Sequence, residues 1–297
     1  MFSIAIMLYD MISRKMAMRF FVSLWSVVLS AACAPADVFA QKPSQDVAVK
    51  SLAPLRLLEQ RVKPPTARPQ EFGLTGSNKP DGEIYRFRRG IPQNFPASIP
   101  RAIHLGKNDD EDDRKKRTLE LADSTSDGWL CLYTSPINVG SWINQEYRVL
   151  LYQKDDTAYT VAWDIVLNPL FSRNDYLEVQ DIRYEAGKLY CNEACITYSK
   201  DAKKQCSALL RIDPMRAKVL WRTPHLVSNN IFLLHGNFII CGYGFTAEDD
   251  YLIVLDKTTG QIRSKTPLDS QHQYMEMVGD VLCVITYKQF YRFEMLK

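Results

Sequence analysis

The chain is predicted to be all-β, built from four repeated antiparallel sheets, with five as the alternative count. The first observation is a cadence: a glycine opens an apolar strand carrying a cysteine four times, at Gly128 with Cys131, Gly187 with Cys191, Gly236 with Cys241 and Gly279 with Cys283. A β-unit of roughly 40 to 50 residues that recurs in this way marks an array whose neighbouring sheets cover one another. The second is texture: from Leu119 onward the apolar runs are short and broken by Gly, Asp, Pro or Lys. No stretch keeps the 3.6-residue period of a helix.

The 297 residues, 46% of them hydrophobic, are enough to bury a core of domain size. Lys and Arg number 37 against 34 Asp and Glu, for a formal charge of +3. That balance points to no nucleic-acid partner and to no electrostatic attachment to a membrane surface.

Residues 1–40 read as a secretory signal. Arg14, Lys15 and Arg19 precede an apolar run over residues 20–32, which is shorter than the roughly 20 residues a spanning helix needs. Val38, Phe39 and Ala40 present a signal-peptidase site, with Gln41 as the new N-terminus. A second route is visible at Leu29-Ser-Ala-Ala-Cys33, which is similar to a lipobox and makes Cys33 the candidate lipidation site, although Ser30 stands where the large aliphatic residue is usual. Either way the protein is expected to be exported: periplasmic, attached to the outer membrane through its N-terminus, or extracellular.

Residues 41–80 carry prolines at 43, 54, 64, 65, 69 and 80. Such spacing interrupts helices and central strands, and the segment is assigned as a Pro-rich tether. The β-domain is expected to occupy residues 81–297. Within it, the acidic run over residues 109–113 and the basic block over residues 114–117 nearly neutralise one another, as in a surface loop. The run lacks the alternating Asp and central Gly of an EF-hand.

The third unit is the clearest. Phe238-Ile-Ile-Cys241 is apolar throughout, as when both faces of a strand are covered. Tyr251-Leu-Ile-Val-Leu-Asp256 follows, and Asp256-Lys-Thr-Thr-Gly260 reads as a tight turn into an outer strand that stops near Pro267. The second unit repeats the plan up to Asp213, then Lys218-Val-Leu-Trp221 and Pro224. Trp221 stands eight residues after Asp213 and Trp163 eight after Asp155, whereas the third unit has Ser264 at that place. Such tryptophans are expected to fill the wedge between sheets.

The stretch Leu252-Ile-Val-Leu-Asp-Lys-Thr-Thr-Gly260, with Lys218-Val-Leu-Trp221, resembles repeats of the pyrroloquinoline-quinone-like β-propeller superfamily over about residues 120–297. The resemblance implies four-stranded blades around an axis. The fourth unit ends after its third strand, Phe290-Tyr-Arg-Phe-Glu294, so another segment must cover its edge. Glu83-Ile-Tyr-Arg-Phe-Arg-Arg-Gly-Ile-Pro92 is the expected N-terminal strand that closes the ring, and residues 98–105 are the candidate start of a degenerate fifth blade.

Few residues stand out for chemistry. The four cadence cysteines lack Cys-x-x-Cys spacing and are expected to be buried packing residues, not a metal site. Cys195 and Cys206 flank a turn near residues 201–204 and form the candidate disulfide, with Cys191 as an alternative partner for Cys206. His104, His225, His235 and His272 lack metal-motif spacing, although His225 and His272 both follow outer strands and are candidates to share one face. The vicinal Cys-Cys of the superfamily's quinone enzymes is missing, so no cofactor is implied. The predicted role is a non-catalytic envelope scaffold that binds protein partners. The alternative is a small-molecule or carbohydrate enzyme working in the central funnel, with calcium as its candidate ion.

Overall fold

The structure is a computed structural model and describes residues 54–63, 67, 69–74, 90–104, 116–135, 145–172, 176–245 and 247–296. The chain divides into Met1–Val49 and Lys50–Lys297, and the described residues all belong to the second unit. The leader, Cys33 and the acidic run lie outside them.

Strand β1 (Leu55–Val62) is separated in sequence from the rest. The first sheet holds β2 (Ala102–His104), β3 (Lys116–Thr125), β4 (Gly128–Thr134), β5 (Tyr147–Lys154) and β6 (Tyr159–Val166), side by side in that order. The second holds β7 (Leu177–Glu178), β8 (Ile182–Glu185), β9 (Lys188–Cys195), β10 (Ala208–Asp213) and β11 (Lys218–Arg222), with β7 and β8 both pairing along β9. The third runs β12 (Asn229–His235), β13 (Phe238–Tyr243), β14 (Asp250–Asp256) and β15 (Ile262–Leu268). The fourth runs β16 (His272–Val278), β17 (Val281–Thr286), β18 (Gln289–Met295) and then β1. Neighbouring strands pair antiparallel, as in a propeller blade.

Three of the cadence glycines build the first hairpin of the second, third and fourth sheets, while Gly128 opens β4. Glu185 faces Lys188, His235 faces Phe238 and Val278 faces Val281 across two-residue turns. Gly187, Gly236 and Gly279 take φ of +73°, +53° and +60° in those turns, the left-handed backbone that such hairpins require. The repeated aspartates build the outer hairpin. Asp256 accepts the amides of Thr258 at 3.0 Å and Thr259 at 2.8 Å, and Asp155 accepts those of Thr157 at 2.9 Å and Ala158 at 2.8 Å. The Arg263 guanidinium beside Asp256 holds its carboxyl down at about 2.

Alternating side chains stack the sheets in sequence order. Leu130, Leu132, Val149 and Leu151 of the first sheet meet Ile182, Leu189, Cys191 and Leu210 of the second. Tyr190 and Leu209 meet Phe232, Ile239, Cys241 and Ile253 of the third. Ile240, Leu252 and Val254 meet Leu282, Val284 and Phe293 of the fourth. Each interface is apolar because a period of two sends every second residue to one face. Among the described residues no core cluster joins the first sheet to the fourth. The far face of the first is covered by Phe95 and Ile99, and that of the fourth by Phe72 and Leu74. The result is a propeller-like stack of four sheets.

Three expectations change. The strand beside β18 is Leu55–Val62, from within the stretch assigned to the tether, rather than residues 84–87, which lie outside the described residues. Prolines 54 and 64 bracket this strand without entering it, and an edge position is where a proline-flanked segment can pair. Residues 102–104 do not begin a fifth blade but pair with β3 in the first sheet. Cys131, Cys191 and Cys241 each stand three residues into their strands, but Cys283 stands only two into β17. A one-residue offset turns a side chain to the opposite face, so Cys283 packs with Leu74, Ile285 and Phe290 on the far side of the fourth sheet, while Leu282, Val284 and Phe293 face the third.

A cleft beside the disulfide as the candidate functional site

Two loops at corresponding places in neighbouring sheets meet at one end of the stack. Residues 196–207 connect β9 to β10 in the second sheet, and residues 244–249 connect β13 to β14 in the third. Cys195 and Cys206 are joined in a disulfide with a Cα separation of 5.2 Å, at the base of the first loop. Both are buried, and they pack with Ala202, Leu177, Phe171 and Phe245 of the second loop.

Glu248 ties the loops together. One carboxylate oxygen accepts the Ser199 amide at 2.8 Å and the Ser199 hydroxyl at 3.0 Å, and the other accepts the Tyr243 hydroxyl. Burial and the bond to Glu248 push the Tyr243 phenol up. Ring contacts add to the junction: Phe245 lies 5.9 Å from Tyr198 and 6.2 Å from Tyr243.

Between the loops opens a cleft of ≈670 Å³. Tyr198, Ser199, Lys200, Lys204 and Leu226 form one wall, and Tyr243, Ala247, Glu248, Asp249, Tyr251 and Lys265 the other. Lys265 Nζ sits 3.6 Å from the centre of the Tyr251 ring, within cation–π range. Lys203, Lys204, Ser207 and Leu226 take φ of +52°, +59°, +61° and +63°. Left-handed backbone costs a non-glycine residue roughly 1–2 kcal/mol. Four such residues in and beside one cleft, held by a disulfide and by the partly buried Glu248, are strain of the kind that gathers at binding sites.

Asp250 stands behind the cleft at the start of β14. Burial, reinforced by Asp269, Asp249 and Glu248 and opposed by Lys288, pushes its carboxyl up to about 6. Its Oδ1 is buried without a hydrogen-bond partner. A side chain on Gly244 would collide with that carboxylate unless Asp250 turned away, so the glycine lets the carboxyl keep its place against the loop.

The cadence cysteines are buried free thiols in separate sheets, and burial pushes Cys131 up to about 12. Trp163 packs 5.5 Å from Tyr184 of the second sheet, and the Trp221 indole covers Gly260 of the third, so both occupy wedges between sheets. His272 lies at the start of β16 in the fourth sheet. It is fully buried, its Nε2 is 3.1 Å from the Ile231 carbonyl, and burial pushes it down to about 4. Among the described residues no group of three or more His, Cys, Asp or Glu is arranged to hold a metal ion. The acidic run over residues 109–113 lies outside them.

Sequence reasoning missed the cleft because most of its residues belong to loops that break the repeat. One signal was present: the lysine-rich segment between Cys195 and Cys206 and the acidic Glu248-Asp-Asp250 occupy equivalent connections in adjacent units.

No family model and no curated protein matches the chain. Among solved structures, a europium-containing methanol dehydrogenase is similar at 13% identity and TM-score 0.31, covering 51% of this chain and 27% of that one. BamB from Moraxella catarrhalis is similar at 10% identity and TM-score 0.27, covering 60% of this chain and 66% of that one. A chain of a mitotic checkpoint complex is similar at 8% identity and TM-score 0.36, covering 52% and 46%. The matches thus span between about a quarter and two thirds of those chains. The propeller-like description of this protein rests on its own strand pairing and on the cores shared by consecutive sheets.

Proposed function

We propose that this protein is an exported, non-catalytic binding scaffold of the cell envelope, built as four blades of the pyrroloquinoline-quinone-like type, with its partner held in the cleft between the second and third sheets. The observation that carries this reading is the construction of the cleft. One wall is closed on itself by the Cys195–Cys206 disulfide and the two walls are tied together by Glu248, while Lys200, Lys204 and Tyr198 remain exposed. Preorganised walls lower the ordering cost of binding. Loops presented on a packed β-frame are the usual place for recognition.

A disulfide also supports export, since such bonds persist in oxidising compartments. Cleavage after Ala40 or lipidation of Cys33 would deliver the domain to the periplasmic or outer surface.

A photo-crosslinking amino acid placed at Lys200 should capture a specific envelope protein in cells, whereas the same probe at Val161, exposed on the outer strand of the first sheet, should not. Equal capture from both positions, or recovery of the protein in the cytosolic fraction, would overturn the reading.

A further inference from the structure

We propose that the cleft recognises an acidic peptide segment carrying an aromatic or aliphatic anchor; this deepens the scaffold reading and rests on it for the identity of the partner as a protein. Lys200 and Lys204 stand on one wall and Lys265 on the other, and none has a carboxylate partner among the described residues. Of the acids lining the same cleft, Glu248 uses both oxygens on Ser199 and Tyr243, whereas Asp249 is exposed and accepts only the Tyr251 hydroxyl, at 3.3 Å. Three exposed lysines therefore line the cleft against one carboxylate left open to solvent. Lysines placed around a recess in this way steer and select negatively charged ligands.

The same wall also carries apolar surface: Tyr198 is 37% exposed and Leu226 is half-buried, both lining the cleft. An aromatic or aliphatic side chain finds an apolar contact there with cations within reach on both sides, which is how an anchor flanked by carboxylates is read. A strand edge beside the cleft favours a peptide over an acidic sugar. Lys265 lies on β15, the outermost strand of the third sheet, and that strand pairs only with β14 among the described residues. An open strand edge offers a row of backbone donors and acceptors to an extended peptide. A polysaccharide has no matching row.

The test uses the purified disulfide-bonded protein and a fluorescein-labelled pentapeptide, Asp-Glu-Trp-Glu-Asp, with the uncharged Asn-Gln-Trp-Gln-Asn as its comparison. Anisotropy should show saturable binding of the acidic peptide, weakened at least about tenfold in the uncharged one and in the double variant Lys200→Glu/Lys265→Glu. Lys154→Glu, an exposed charge reversal in the first sheet, should bind like the parent. Urea midpoints of all variants verify folding. Equal binding of the two peptides, or unchanged binding by the double variant, overturns the proposal. So does a homogalacturonan oligosaccharide that displaces the peptide at lower concentration. The two readings fail separately: capture of a protein from Lys200 without acidic-peptide binding removes only the acidic class. Acidic-peptide binding without capture in cells removes the scaffold role and leaves the site.

Discussion

The Trp221 indole of the second sheet lies directly over Gly260 in the outer hairpin of the third, so close that a Cβ added to the glycine would stand 2.7 Å from the ring carbon Cε3. Gly260 also has φ of +73°. One residue therefore satisfies the turn after Asp256 and leaves room for its neighbour's aromatic wedge. Gly260→Ala is expected to cost about 1–3 kcal/mol, from backbone strain and overpacking together. Urea unfolding followed by tryptophan fluorescence measures it, and an unchanged midpoint would show that the contact is dispensable.

The chain between Cys195 and Cys206 supplies most of one cleft wall, and its closure restrains the unfolded chain. For a loop with a sequence separation of 11, the chain-entropy account gives about 3 kcal/mol. Cys195→Ala/Cys206→Ala should lower stability by an amount of that order and loosen the residues 196–205. Intact mass before and after reduction tests the bond itself. Cys131, Cys191, Cys241 and Cys283 should resist alkylation until the protein unfolds, because burial raises all four thiols.

Arg61 of β1 lies 5.0 Å from the centre of the Phe72 ring and 4.9 Å from that of Phe290, and the two rings stack at 4.5 Å. This contact fastens the N-terminal strand to the fourth sheet. Arg61→Ala should destabilise the protein by about 1 kcal/mol through lost packing and cation–π attraction. Deleting residues 54–63 should do more, since it uncovers the edge of β18. Limited proteolysis with light scattering reads both effects, and a truncated protein that stays monomeric and protease-resistant would contradict them.

Asp250 sets a pH dependence. Its carboxyl stands at about 6 in the folded chain against an ordinary 3.8, so the folded state holds more protons than the unfolded state between those values. Stability should then fall as pH rises from about 4 to about 6 and stay at the lower level above. Asp250→Asn should remove that slope and stabilise the protein at neutral pH by about 1 kcal/mol once solvent screening is allowed for. Thermal melts of parent and variant across this range decide it; parallel curves would refute the assignment.

The hairpin glycines, the aspartate turns and the wedge tryptophans were legible in the sequence because each is a local requirement. A two-residue turn needs positive φ at Gly187, and a tight turn needs an acceptor at Asp256, wherever the strands lie. Leu55–Val62 was not legible as the partner of β18, because its neighbours Pro54, Pro64 and Pro65 speak only of the chain beside it. Its pairing brings together residues more than two hundred positions apart. The misplacement of Cys283 has the same origin: a spacing counted from the glycine does not reveal where the strand begins.

The sequence by itself determined the all-β class, the four units and the positions of their turns, since backbone sterics and a period of two act within a few residues. Only the tertiary structure decided which segment completes the fourth sheet, which face each cysteine takes, and that two unlike loops form one cleft. Those outcomes depend on contacts between sheets, where burial and charge are settled by what lies across the interface rather than by what lies next in the chain.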